Sequence, residues 1–311
     1  MLVTTALATI LSFSGAGFDA TRVFNPSVAH VGTGYNMLYG GLPFANNIQI
    51  GLATSTDGVT WTKYGSNPVI TNGSAPAWAS YREVPATLLY NSGTYNLWFQ
   101  GDNTNLSTDA GRVSGFGHAS STDGTHWTID PTPIRLEPWP LGVGLASVAV
   151  LDDKYYAYLM YVEGGTQYVA SSTDGINFSP DVLLNAPNGY HLLATTTTTI
   201  GGQSNIVGIW QAAGSTYYGL SSDGVNFTMQ DQIDIPANFG VTSALIEGNR
   251  LQLFGDISVG NINWNYGNVV IGTVTAAWPD ANVPEPSSTV ALLCGMGGLM
   301  VLRRYRNKTA V

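Results

Sequence analysis

Charge is the first thing this 311-residue chain has little of. Charged residues make up 10% of it, against about a quarter in an ordinary soluble domain. Basic residues are scarcer still. Four of the eleven, Arg303, Arg304, Arg306 and Lys308, fall in the last nine positions, which leaves seven basic against nineteen acidic residues before Val283. A surface of that sign excludes a nucleic-acid partner, whose phosphates need a basic face. The one cysteine, Cys294, lies in the apolar C-terminal stretch, so the body can form no internal disulfide. Four histidines (His30, His118, His126, His191) are scattered without metal-ligand spacing, so no metal site is expected. No Gly-x-Ser-x-Gly elbow or phosphate loop is present. No amphipathic helix of ten residues can be drawn before Val283, which excludes the doubly wound α/β folds.

What is present is a repeated hairpin. Ser55-Thr56-Asp57-Gly58-Val59-Thr60-Trp61 returns as Ser121-Thr122-Asp123-Gly124-Thr125-His126-Trp127. It returns again as Ser172-Thr173-Asp174-Gly175-Ile176-Asn177-Phe178 and as Ser221-Ser222-Asp223-Gly224-Val225-Asn226-Phe227. Asp-Gly reads as a tight hairpin pair, since Gly takes a positive φ without steric cost and Asp tolerates one. The four Asp residues are 66, 51 and 49 positions apart, the period of propeller blades. They are turn residues, not catalysts.

Each hairpin belongs to a longer β unit. Five inner strands are expected, at 25–31, 84–90, 145–151, 193–200 and 241–246. Each is followed by a second strand of mixed aromatic and aliphatic residues, at 35–39, 95–99, 155–161, 206–210 and 251–254. The fifth unit has no Asp-Gly hairpin. Residues 3–13 are open to two readings. They are apolar enough for a signal peptide, but no Lys or Arg precedes them. Thr9-Ile10-Leu11 stands before Phe18 as Pro68-Val69-Ile70 stands before Trp78, so they also read as a strand completing the fifth unit and closing the ring. The expected fold is all-β: a five-bladed β-propeller over 1–278, a Pro/Ser linker over 279–288, and one C-terminal transmembrane helix.

That helix is the apolar run 289–302. Before it stands Val283-Pro284-Glu285-Pro286, and after it the basic residues Arg303, Arg304 and Arg306. Fourteen apolar residues are short for a span of about 20, and the basic end should stay cytoplasmic. Residues 283–308 resemble a PEP-CTERM sorting signal, also labelled the ice-binding protein C-terminal domain. The resemblance implies export across the inner membrane of a Gram-negative bacterium and transient anchoring by the helix. It implies recognition of Pro284, Glu285 and Pro286 by an exosortase, which removes the tail, and delivery to the cell surface or extracellular matrix.

The body resembles the five-bladed glycoside hydrolase superfamily of arabinanases, β-xylosidases and invertases, together with the related mannoside phosphorylases. Asn25-Pro26-Ser27-Val28 followed by Tyr35-Asn36-Met37-Leu38-Tyr39-Gly40 carries the likeness, and Val84-Pro85-Ala86-Thr87 with Tyr95-Asn96-Leu97-Trp98-Phe99-Gln100-Gly101 is its second copy. In such a propeller the inner strands start, and the second strands end, at one face of the central channel. That rule selects Asp19, Glu83 and Glu163 as candidate catalytic carboxyls. It selects Arg22, Asn25, Arg82, His191 and Asp256 as candidate ligand-binding residues, with Asp102 and Gln211 beside them. Such a mixture of planar polar groups suits sugar hydroxyls. Asn25 stands where the resemblance places the catalytic Asp of the first blade, and an amide cannot deprotonate water. Arg82, next to Glu83, is expected to hold that carboxylate ionised. The leading expectation is therefore engagement of an extracellular glycan without strong catalysis. A glycoside hydrolase or phosphorylase using paired carboxylates is the alternative, and a structural matrix protein is a third reading. No cofactor is expected, save that Asp and Asn are plentiful enough to hold a Ca²⁺ in the channel.

Overall fold

The computed structural model describes residues 1–44, 47–104, 113–138, 143–161, 166–259 and 268–279. The described residues form five sheets in chain order, the blades of a propeller, antiparallel but for one N-terminal strand. The inner strands are Arg22–Val31, Arg82–Asn91, Val143–Leu151, His191–Ile200 and Phe239–Glu247. The second strands are Gly34–Leu42, Thr94–Asp102, Lys154–Tyr161, Gln203–Ala212 and Arg250–Val259. Third and outer strands complete blades one to four, and the outer strands of blades one to three are two residues long. In blade two a further strand, Arg135–Pro138, pairs with the third. Two 3-10 turns are the only helical segments among the described residues. None of these residues forms a helix long and apolar enough to cross a membrane. The expected helix 289–302 and the sorting motif lie outside the described residues.

The N-terminal segment is a strap. Ala8–Leu11 pairs antiparallel with the third strand of blade five, Asn268–Ala277, and completes its sheet. Leu2–Val3 pairs parallel with the outer strand of blade four. The segment thus fastens blades four and five together. Leu2, Leu7 and Phe13 pack on the apolar cluster that both blades share. Residues 3–13 are part of the ring, as the comparison with Val69-Ile70 anticipates.

The four Asp-Gly hairpins are looser than a two-residue turn. Ser55 ends the third strand of blade one, and the outer strand begins only at Thr62. Gly58 takes the positive φ, +71°, while Asp57 does not. Asp57 instead uses its carboxylate, accepting hydrogen bonds from the N–H groups of Val59 and Thr60 at 2.8 and 2.7 Å. Asp123, Asp174 and Asp223 repeat this geometry. The backbone bonds drive the Asp57 carboxyl down to about 2, as bonding to the charged form does. The glycine carbonyls of three hairpins staple blade to blade. Gly58 O accepts from Gln252 Nε2 of blade five, Gly175 O from Trp98 Nε1 of blade two, and Gly224 O from Tyr158 Oη of blade three.

On the channel side every inner strand carries a β-bulge at one level, and the residue after it is Ser27, Thr87, Ser147, Ala194 or Ser243. Each hydroxyl accepts the backbone N–H of the next blade. Ser27 takes Leu88 N at 2.7 Å, Thr87 takes Val148 N at 2.8 Å, Ser147 takes Thr195 N at 3.2 Å, and Ser243 takes Val28 N at 3.2 Å. This belt satisfies inner-edge donors that no neighbouring strand can reach. Each bond contributes about 1 kcal/mol net. Blade four has Ala194 at the belt position, so the joint between blades four and five has no hydroxyl to offer. It is the joint that the strap fastens from outside.

Candidate functional site

The inner strands start and the second strands end at one face, and the bulge puts the blades in a common register there. The residue opposite Ser27, Thr87, Ser147, Ala194 and Ser243 is Leu38, Trp98, Tyr158, Ile209 and Phe254. Counting outward from these pairs lets each candidate be compared with its counterparts in the other four blades.

Asp19 lies in the 3-10 turn Gly17–Asp19 and is buried. Its carboxylate is paired with Lys63 on the outer strand of blade one, and it accepts the Tyr39 hydroxyl at 3.3 Å. The base expected of it is thus engaged in an ion pair. Arg22 starts the first inner strand opposite Leu42. Arg82 does not hold Glu83 ionised. Neighbours along a strand point to opposite faces, and Arg82 pairs with Asp102, directly across on the second strand.

Glu83 is fully buried. Its counterparts are Val23, Val143, Tyr190 and Phe239, so a carboxyl stands where the other blades put an apolar or aromatic side chain. Its Oε2 accepts Asn72 Nδ2 at 2.9 Å, and its Oε1 has no partner among the described residues. Asn72 also donates to Ile48 O and accepts from Asn47 Nδ2, which ties the carboxyl to the connection out of blade one. Burial pushes the Glu83 carboxyl up to about 8, so it is neutral at pH 7. Sequence reasoning missed Asn72 as its partner. Eleven residues separate the two, and no local pattern announces the contact.

Asn25 sits in the first bulge at φ +47°. Its backbone N–H donates to Asp256 Oδ1 of blade five at 2.7 Å. Asp256 is 8% exposed, and burial pushes its carboxyl up to about 7 despite that bond. His191 is exposed at the start of the fourth inner strand, opposite Gln211. It borders a groove of about 510 Å³ beside Tyr190 and Asn188. Glu163 lies outside the described residues.

The structure therefore brings Asn25 to Asp256 and Arg82 to Asp102, while Asp19 meets Lys63 and Tyr39 and Glu83 meets Asn72. The channel beyond the belt has a volume of about 290 Å³ and is lined by none of the candidates among the described residues. Among the described residues no three His, Cys, Asp or Glu converge as a metal site.

No family model matches the sequence, and no curated protein matches it. Solved structures do match the fold. A family 117 glycoside hydrolase, Zg3597 from Zobellia galactanivorans, superimposes with a TM-score of 0.66 at 15% identity, over 92% of this chain and 93% of that one. A β-1,2-mannobiose phosphorylase from Listeria innocua superimposes at 0.60 and 12% identity, over 87% and 90%. A GH43_1 enzyme from Xanthomonas citri superimposes at 0.59 and 13% identity, over 82% and 88%. At these identities the likeness is one of fold: the chain is a five-bladed β-propeller resembling those of glycoside hydrolases and phosphorylases.

Proposed function

We propose that this propeller engages an extracellular glycan at the face where its inner strands start, with little or no catalysis. The observation that carries this reading is the state of the carboxyls at that face. Asp19 is tied to Lys63 and Asp102 to Arg82. Glu83 is closed in behind Asn72, and the first inner strand offers the Asn25 amide. Hydrolysis requires two carboxyls addressing one bond from opposite sides. The named activities of the fold neighbours, on glycosides and a mannobiose, supply the ligand class. Gln100, Gln211 and His191 supply the planar polar groups that sugar hydroxyls favour.

A glycosidase or phosphorylase is the second reading, and one observation favours it: Glu83 is kept neutral at pH 7 by burial, as a general acid must be. One experiment separates the two. Wild type and Glu83→Gln are assayed on arabinans, xylans, mannans and fructans, with and without phosphate, for release of reducing sugar or sugar phosphate. Titration calorimetry on the same panel measures binding. Binding without turnover supports the proposal. Turnover that falls on the order of 10² to 10⁴ in Glu83→Gln overturns it in favour of an enzyme. Neither binding nor turnover leaves the matrix-protein reading.

We also take the protein to be exported and sorted to the cell surface of a Gram-negative bacterium by an exosortase. The support is sequence alone: Val283-Pro284-Glu285-Pro286, the apolar run and the arginines after it.

A further inference from the structure

The common register of the blades singles out a second carboxyl. Two residues outward from the belt partner on each second strand stand Gly40, Gln100, Met160, Gln211 and Asp256. At this level the side chain leans toward the inner strand of the following blade. Gln100 Oε1 lies 3.9 Å from where a Cβ on Gly144 of blade three would be, and Asp256 Oδ1 meets Asn25 N of blade one. The position borders solvent in blades three and four, where Met160 is 41% exposed and Gln211 is exposed, and Asp256 is 8% exposed. Asp256 is the one charged residue of the five. Among the described residues, the Asn25 N–H is the one hydrogen bond its carboxyl receives.

Blade one departs from the others at the same place. Its bulge adds one residue, as in the other blades, but leaves both Asn25 and Pro26 out of the ladder, where blade two leaves out Ala86 alone. Asn25 adopts φ +47°, a left-handed conformation that Asn tolerates better than most residues. A strained backbone that persists in a fold marks a place where something is gained by it. Here it turns one N–H onto one buried carboxyl.

We infer that Asp256, reaching across from blade five, supplies the ligand-contacting carboxyl of the blade-one mouth, and that Asn25 positions it through its backbone. The inference rests on the glycan reading above and names the group that does the recognising. The ligand chemistry is that of a neutral sugar presenting hydroxyls to a carboxyl whose second oxygen is left for them.

The test uses the full chain and the same panel of oligosaccharides, with binding measured by calorimetry and folding by thermal melting. Asp256→Gln places in blade five the residue that blades two and four already carry, so the fold accommodates it; Asp256→Asn is the second variant. Both should melt cooperatively at or above the wild-type temperature and bind at least tenfold more weakly. Asn25→Gly removes the amide but is at ease at positive φ and keeps the N–H on Asp256, so it should lose less binding than Asn25→Val. Asn25→Val, which resists that φ, should bind at least tenfold more weakly. Equal binding by wild type and both Asp256 variants overturns this inference and leaves the glycan reading standing. So does loss of the cooperative melt in both, which would make Asp256 structural. A drop in Asn25→Gly as large as in Asn25→Val overturns the positioning role. If wild type binds nothing on the panel, the glycan reading falls and this inference falls with it.

Discussion

The hydroxyl of Thr87 in blade two accepts the backbone N–H of Val148 in blade three at 2.8 Å. Both residues are buried. Thr87→Val keeps the shape and leaves that N–H without an acceptor, which should cost about 1–3 kcal/mol. Ala194→Ser supplies the hydroxyl that blade four omits and should stabilise by about 0.5–1.5 kcal/mol. Urea unfolding of the two variants checks both signs. A destabilised Ala194→Ser would mean that the joint between blades four and five has no donor waiting.

Stability should fall on the alkaline side earlier than in most proteins. The Glu83 carboxyl is raised from 4.5 to about 8 and that of Asp256 from 3.8 to about 7. A raised acid binds its proton more tightly in the folded chain, so its contribution is complete below the unfolded value. It is lost as pH rises through the folded one. The hairpin carboxyls act with the opposite sign. Asp57 and Asp223, lowered from 3.8 to about 2, stabilise above the unfolded value and stop doing so as pH falls through 2. Urea midpoints should therefore decline between about pH 4.5 and 8, and Glu83→Gln should flatten much of that decline. A midpoint independent of pH across this window would contradict the burial of both groups.

Removing residues 1–13 should open the ring. It exposes the edge of Asn268–Ala277 and uncovers the apolar cluster shared by blades four and five, and unpaired edges invite association. The expected outcome is loss of the cooperative melt, or aggregation seen by light scattering. A chain starting at Ser14 that stays monomeric and melts sharply would show that the strap is dispensable.

Expressed in a host with an exosortase, the protein should lose the residues after about Pro286. Intact mass reads this directly, and a full-length mass in that host would remove the support for sorting.

The propeller was legible because its signals are local and repeated. Ser-x-Asp-Gly with an aromatic three residues on recurs at blade period, and even the first strand could be placed by matching Thr9-Ile10-Leu11 to Pro68-Val69-Ile70. The candidate site was legible only as a set of positions. Arg82 and Glu83 are adjacent in sequence, yet a strand sends them to opposite faces, so their partners are Asp102 and Asn72 and not each other. Asn25 read as an amide in place of an acid. That its backbone N–H, not its side chain, makes the contact depends on a bulge, and periodicity does not reveal a bulge. The belt hid for another reason: Ser27, Thr87, Ser147 and Ser243 are ordinary strand residues until the ring sets them level.

The pairing of Ala8 with Thr273 has a consequence for how this molecule is made. The strand Ala8–Leu11 cannot find its partner, Asn268–Ala277, until almost the whole body has been synthesised. Until then blades four and five lack their fastening, and the growing chain is an open arc of sheets. Contacts this distant in sequence form slowly. During synthesis the ring therefore stays open, and it locks only when its last blade arrives.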